Sequence, residues 1–99
     1  MSYDLLIDRG EDNSTPLGTI DELHRAIESV FPATQWSTRG TGGLEEGAAS
    51  IEFNILTDAP IRSFGILLHG EFIVFLERID QLAASNGWSV FDPQGGDEM

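Results

Sequence analysis

The chain has no cysteine and no lysine among its 99 residues. Without cysteine, the protein can form no disulfide framework, no thiolate zinc site and no cysteine nucleophile. Because lysine is missing, the basic residues are five arginines, which stand against 17 Asp and Glu and leave a formal net charge of −12. Binding to nucleic acid depends on Lys and Arg that neutralise phosphates, so we expect no nucleic-acid partner. The same charge favours a basic partner, or simply high solubility.

Long apolar runs are missing as well. No stretch approaches the roughly 20 apolar residues that cross a membrane, and residues 1–4 lack the basic and apolar regions of a signal peptide. We therefore expect a cytoplasmic protein with no membrane partner. Apolar residues make up 40% of the chain and include two Trp, six Phe and one Tyr. That content is enough for one small core, so the sequence predicts a single domain over residues 1–99.

Two segments have the apolar periodicity of helices. Residues 19–22 form a capping box, in which the Thr19 side chain and the Glu22 side chain satisfy each other's backbone amides. This helix ends before Pro32. A second helix begins at Gly70 or Glu71 and ends at Asn86-Gly87, which supplies a left-handed stop. Its predicted buried residues are Phe72, Phe75, Leu76, Ile79, Leu82 and Ala83.

Alternation of apolar and polar residues predicts five strands. They cover residues 3–7, 35–37, 50–56, 61–69 and 88–91. The order β-α-β-β-β-α-β predicts an α+β two-layer sandwich, with a mostly antiparallel sheet and two helices on one face, close to a ferredoxin-like plan. We interpret the glycine-rich residues 39–47 as a mobile loop and residues 93–99 as a disordered tail.

No catalytic motif is complete. His69 and Glu71 resemble the His-x-Glu part of the deaminase pattern, but that pattern also requires paired cysteines. Glu71 is better explained as an acid at a helix start. His24 and Glu28 are one turn apart and could clamp a metal only weakly. Residues 40–43 lack the lysine of a phosphate-binding loop. We therefore expect no enzyme activity, no catalytic residue, no metal site and no cofactor.

Acidic residues gather on one predicted sheet face. Asp4 and Asp8 point away from the core on the first strand, as Glu52 does on its own strand. If these strands are neighbours, they form an acidic patch bordered by Leu6, Leu67 and Trp36. This patch is either a solvated sheet face or a docking surface for a basic protein. The residues that we assign to partner binding are Asp4, Asp8, Trp36, Glu45, Glu46 and Glu52.

A resemblance covers about two thirds of the chain. Residues 86–94 read NGWSVFDPQ, and Trp36 precedes a glycine-rich stretch, an IEF segment at residues 51–53 and the strand at residues 64–70. In these features the chain resembles small uncharacterised bacterial α+β proteins, some of which are similar to immunity proteins of toxin systems. The resemblance implies an acidic, cytoplasmic, non-enzymatic protein that neutralises a toxin by binding it, and it transfers no functional residue.

Three hypotheses follow. The first is an inhibitor that binds a basic protein through acidic side chains. The second is a homodimer that associates through exposed apolar residues and edge strands. The third is a small metal-dependent enzyme that uses His69 and Glu71.

Overall fold

The computed structural model describes residues 2–10, 15–56 and 60–92. Within them the chain forms an antiparallel sheet of six strands and two helices, an α+β fold consistent with a two-layer sandwich. The elements in chain order are β1 (Ser2–Asp8), α1 (Ile20–Val30), β2 (Gln35–Trp36), β3 (Thr41–Glu46), β4 (Ala49–Ile55), β5 (Phe64–Gly70), α2 (Ile73–Asn86) and β6 (Ser89–Phe91).

The strands lie in the order β2-β3-β4-β5-β1-β6. The hairpin of β4 and β5 is present as expected, with Phe53 opposite Ile66. Strand β1 pairs with β5 on one side and with β6 on the other. Strands β1 and β4 are therefore not neighbours, because β5 lies between them.

Both helices cover the same face of the sheet. Leu23 and Ile27 of α1 belong to the same buried cluster as Phe75 and Ile79 of α2, and the two helices pack against each other. The sheet contributes alternate residues to this cluster, which are Leu5, Ile7, Ala49, Ile51, Phe53, Ile55, Phe64, Ile66 and Leu68. None of the described side chains on the opposite face is buried. We call that opposite side the open face.

The helix ends follow from local chemistry. The capping box is present: Glu22 N donates to Thr19 Oγ1 at 3.1 Å, and Thr19 N donates to Glu22 Oε1 at 2.8 Å. Gly87 ends α2 in the left-handed conformation, with φ of 70°. Helix α2 begins at Ile73, later than predicted, because Gly70 still belongs to β5. Gly70 has φ of 69°, and a Cβ there would clash with the Ala48 carbonyl oxygen.

The glycine-rich stretch is a strand, so its interpretation as a loop is wrong. Residues Thr41–Glu46 form β3, which pairs along its length with β4. A side chain at Gly42 would clash with the ring of Trp36, and one at Gly43 would clash with the carbonyl oxygen of Ile51. Glycine is therefore present because neighbouring strands approach closely, and an aromatic ring covers it from the next strand. The order of elements consequently has one strand more than predicted.

Two other predicted segments differ from the structure or fall outside it. The strand predicted over residues 61–69 begins only at Phe64, while Ile61 forms an isolated bridge with Gly18. The tail predicted over residues 93–99 lies outside the described residues.

Candidate functional site

Among the described residues, the strands place four carboxylates on the open face. In β1, Asp4 and Asp8 point to it, because the alternate residues Leu5 and Ile7 point into the core. Glu52 of β4 and Glu45 of β3 point the same way, since their strand neighbours Ile51 and Leu44 face the helices. The sequence predicted this orientation for Asp4, Asp8 and Glu52.

The register of the strands arranges these groups in rows. Leu67 of β5 lies opposite Asp4 on one side and opposite Glu52 on the other. Asp4 and Glu52 are thus separated by two strand spacings, about 10 Å. Asp8 lies further along β1, past Leu6. Glu45 lies opposite Ser50, which in turn is opposite His69. The acidic groups are therefore spread over the face rather than gathered at one point.

Arginine does not accompany these carboxylates within the strands. Arg25 and Arg78 lie on the helices, and Arg9, Arg39 and Arg62 lie in connecting segments. The six strands, as described, contain no arginine, so the sheet has no basic side chain other than His69. Two of the arginines form ion pairs with acids off the open face, namely Arg39 with Asp21 and Arg78 with Glu46.

Glu46 lies on the helix side of the sheet, although its neighbour Glu45 lies on the open face. The Arg78 guanidinium donates to both carboxylate oxygens of Glu46, at 3.0 and 2.7 Å. It also lies over the rings of Phe31 and Phe75, 5.3 and 5.5 Å from their centroids. These hydrogen bonds from Arg78 lower the pKa of the Glu46 carboxyl, and they also raise the pKa of the Arg78 guanidinium. Glu46 is therefore already paired with a cation of the same chain, Arg78.

Trp36 also lies on the helix side, so the prediction that it borders the acidic patch is wrong. It pairs with Gly42, which pairs with the buried Phe53, and this register turns its ring toward α1. The ring stacks on His24 with centroids 3.8 Å apart, and its Nε1 donates to Glu28 at 2.8 Å. Nε2 of His24 lies 2.6 Å from the Arg39 carbonyl oxygen. His24 and Glu28 thus help to fasten α1 to β2.

An apolar groove at one end of the open face was not predicted from the sequence. Leu6, Gly65, Asn54 and Thr41 lie in one row across β1, β5, β4 and β3. Together with Leu56 they line a groove of about 350 Å³. Leu56 is 81% exposed. Gly65 was the one signal in the sequence, because a glycine inside a strand often marks a close approach or a binding site.

The two residues of the incomplete His-x-Glu pattern, His69 and Glu71, are both exposed. His69 lies near the end of β5, and Glu71 follows that strand directly. Among residues 2–10, 15–56 and 60–92, no group of three or more His, Asp and Glu is arranged to hold a metal ion.

Neither helix in the described part of the chain combines the length and the hydropathy that a membrane span requires. Comparisons with protein-family models, with curated proteins and with solved structures gave no match.

Proposed function

We propose that this protein acts by binding a basic protein through its open face, in the manner of a bacterial immunity or inhibitor protein of the cytoplasm. One observation carries the proposal. Asp4, Asp8, Glu45 and Glu52 share a face whose strands contain no arginine, while the acid at Glu46 is already paired within the molecule. Four carboxylates on strands that carry no arginine in the described part of the chain make this face negative, and a negative face attracts a partner rich in Arg or Lys.

The apolar residues of the same face support binding to a protein. Leu6 and Leu67 are only half-buried there, and Phe91, which lies opposite Leu6 on β6, is 51% exposed. A protein interface combines apolar contacts near its centre with polar groups around them. The apolar contacts would stabilise the complex, and the carboxylates would accelerate encounter and select for a positive partner.

Charge argues against a second copy of the chain as the occupant of this face. A symmetric dimer through the open face would bring the four carboxylates of one copy against the same four of the other. Like charges that face each other across an interface cost several kcal/mol, on the order of what a modest apolar contact contributes. We therefore place the basic partner ahead of the homodimer.

We also infer that the fold is a ferredoxin-like variant. Four adjacent strands, β4, β5, β1 and β6, are connected by the two helices in a way that supports a split β-α-β pattern. Strands β2 and β3 would then be an extension at one edge.

Kinetics with the purified partner test the proposal. The partner is first captured from the source cell and identified, and its association rate is then measured with three forms of this protein. Asp4→Asn with Glu52→Gln removes two charges from the open face, and we expect the association rate to fall about tenfold at low salt. Glu77→Gln with Asp80→Asn makes the same charge change on the exposed side of α2 and should have a much smaller effect.

The salt dependence gives a second criterion. Because charges at the interface attract each other over a Debye length of about 8–10 Å, raising the ionic strength should slow association of the wild type more than that of the open-face variant. Equal loss of rate in both double variants, or association that is insensitive to salt, would contradict the proposal.

A further inference from the structure

We infer that the apolar groove beside Leu6 receives a large apolar side chain of the partner, and that basic residues flank this side chain in the partner's own sequence or surface. The inference rests on the proposed function and specifies what the partner must present. It identifies the groove as the anchor point of the interface and the surrounding carboxylates as its rim.

The groove is formed by a missing side chain. Gly65 lies between Leu6 and Asn54 in the row that crosses the sheet. A Cβ added to Gly65 would meet no atom closer than the Asn54 carbonyl oxygen, at 4.0 Å. The space above Gly65 is thus open, and the side chains of its neighbours form the walls. A pocket that encloses one apolar side chain is the usual place for an energetically dominant contact in a protein interface.

Carboxylates bracket this groove on the same face. Asp4 and Asp8 are two residues before and two residues after Leu6 on β1, a distance of about 7 Å along the strand in each direction. Glu52 is two residues before Asn54 on β4, at the same spacing. An apolar side chain seated above Gly65 would therefore have negative charge on both sides of it. The matching partner segment has Arg or Lys on either side of an apolar residue.

The apolar surface also continues beyond the groove, which favours a protein segment over a small molecule. Phe91 lies opposite Leu6 on the outer side of β1, and Leu67 is the diagonal neighbour of Leu6 on β5. Both are outside the groove lining. A small cationic ligand seated in the groove would leave them in water, whereas a protein segment can cover them.

Gly65→Val is the decisive variant because it fills the groove without reaching the core. Position 65 faces away from the helices, and a β-branched side chain suits a strand. Ser50→Val is its matched control: it adds an apolar β-branched side chain to the same face, in a row that does not line the groove. Both variants keep the formal net charge of the wild type.

The probes are two short synthetic peptides, blocked at both ends, with one leucine or one alanine between two pairs of arginines. Binding is followed by amide chemical shifts of the isotope-labelled protein. We expect the leucine peptide to bind wild type about tenfold more tightly than the alanine peptide, since it buries more apolar surface. The shifts should centre on Leu6, Asn54 and Gly65. The Gly65→Val protein should lose the preference, and the Ser50→Val protein should keep it.

The other outcomes separate this inference from the proposed function. If both peptides bind wild type equally and both weaken in the Asp4→Asn, Glu52→Gln variant, the anchor is wrong while the acidic face still binds a basic partner. If neither peptide binds, the inference about the groove is also wrong. The association rates measured with the purified partner then decide the proposed function. If wild type binds phenethylammonium, a small apolar cation, as tightly as it binds the leucine peptide, the groove is assigned to a small ligand instead. Concentration-dependent shifts of the same amides without peptide would assign it to a second copy.

Discussion

The two faces of the sheet are built from the same strands, yet they differ in almost every property. Along β4, the residues Ile51, Phe53 and Ile55 are at most 5% exposed, whereas the residues between them are Glu52 and Asn54. Both helices lie on the first side, so burial of apolar surface there stabilises the fold. The second side contributes little to that burial and is available for binding. Adjacent residues of one strand can therefore be assigned to stability and to recognition.

The largest test of this division is a matched pair of truncations in β4. Phe53 is fully buried, with its ring centroid 5.5 Å from that of Phe31. Phe53→Ala should lower the free energy of unfolding by about 3–5 kcal/mol, because it removes buried surface and leaves a cavity. Glu52→Ala, on the open face, should change it by less than about 0.5 kcal/mol. Urea titration followed by tryptophan fluorescence measures both. Similar losses of unfolding free energy in the two variants would show that side chains of the open face also stabilise the fold.

Two glycines provide a test of intermediate size. Gly43 and Gly65 both face the open side, but a side chain at Gly43 would clash with the carbonyl oxygen of Ile51, and one at Gly65 would not. Gly43→Ala should destabilise the protein by about 1–3 kcal/mol, since the backbone must shift. Gly65→Ala should raise stability by up to about 1 kcal/mol, because it restricts the unfolded chain. Thermal unfolding of the two variants gives the comparison. A stabilising Gly43→Ala would contradict the close strand approach that explains β3.

The smallest expected effect is a pH-dependent difference in stability between variants of the neighbouring residues Glu45 and Glu46. Arg78 lowers the pKa of Glu46 in the folded protein. The pair therefore stabilises the fold above the usual glutamate pKa of about 4.3, and this stabilisation is lost as the pH falls through the lower pKa of the folded state. Glu46→Gln should reduce the urea midpoint near pH 7, and its difference from wild type should narrow as the pH falls below the usual glutamate pKa of about 4.3.

Glu45→Gln is the control for this titration, since Glu45 is exposed on the open face. It should change the midpoint little over the same pH range. A gap between Glu46→Gln and wild type that stays constant with pH would mean that the Arg78 pair does not contribute through its charge.

Local patterns predicted the elements that depend on local chemistry. The capping box at Thr19, the left-handed stop at Gly87 and the alternation around Phe53 each record a short-range requirement, and each is found in the structure. The orientation of Asp4, Asp8 and Glu52 followed from the same alternation. These residues could be assigned to a face without knowledge of which strands are neighbours.

What the sequence did not reveal depends on contacts between distant segments. Strand β3 was missed because Gly42 and Gly43 have low strand propensity, and their presence is explained only by the Trp36 ring and the backbone of β4. Trp36 and Glu46 could not be assigned to the helix side before the register of β2 and β3 was known. The groove was missed because Leu6, Gly65 and Asn54 meet only when β1, β5 and β4 are side by side.

The open face draws its acidic groups from positions 4, 8, 45 and 52, on three strands that only the finished sheet aligns. An unfolded or truncated chain would not present this surface, so a partner that recognises it would bind the native state alone. Such selective binding raises the melting temperature, by mass action, and contributes about 2.7 kcal/mol when free partner exceeds its dissociation constant a hundredfold. The melting temperature of this protein, measured in a mixture with each candidate protein, should therefore identify its partner without any label.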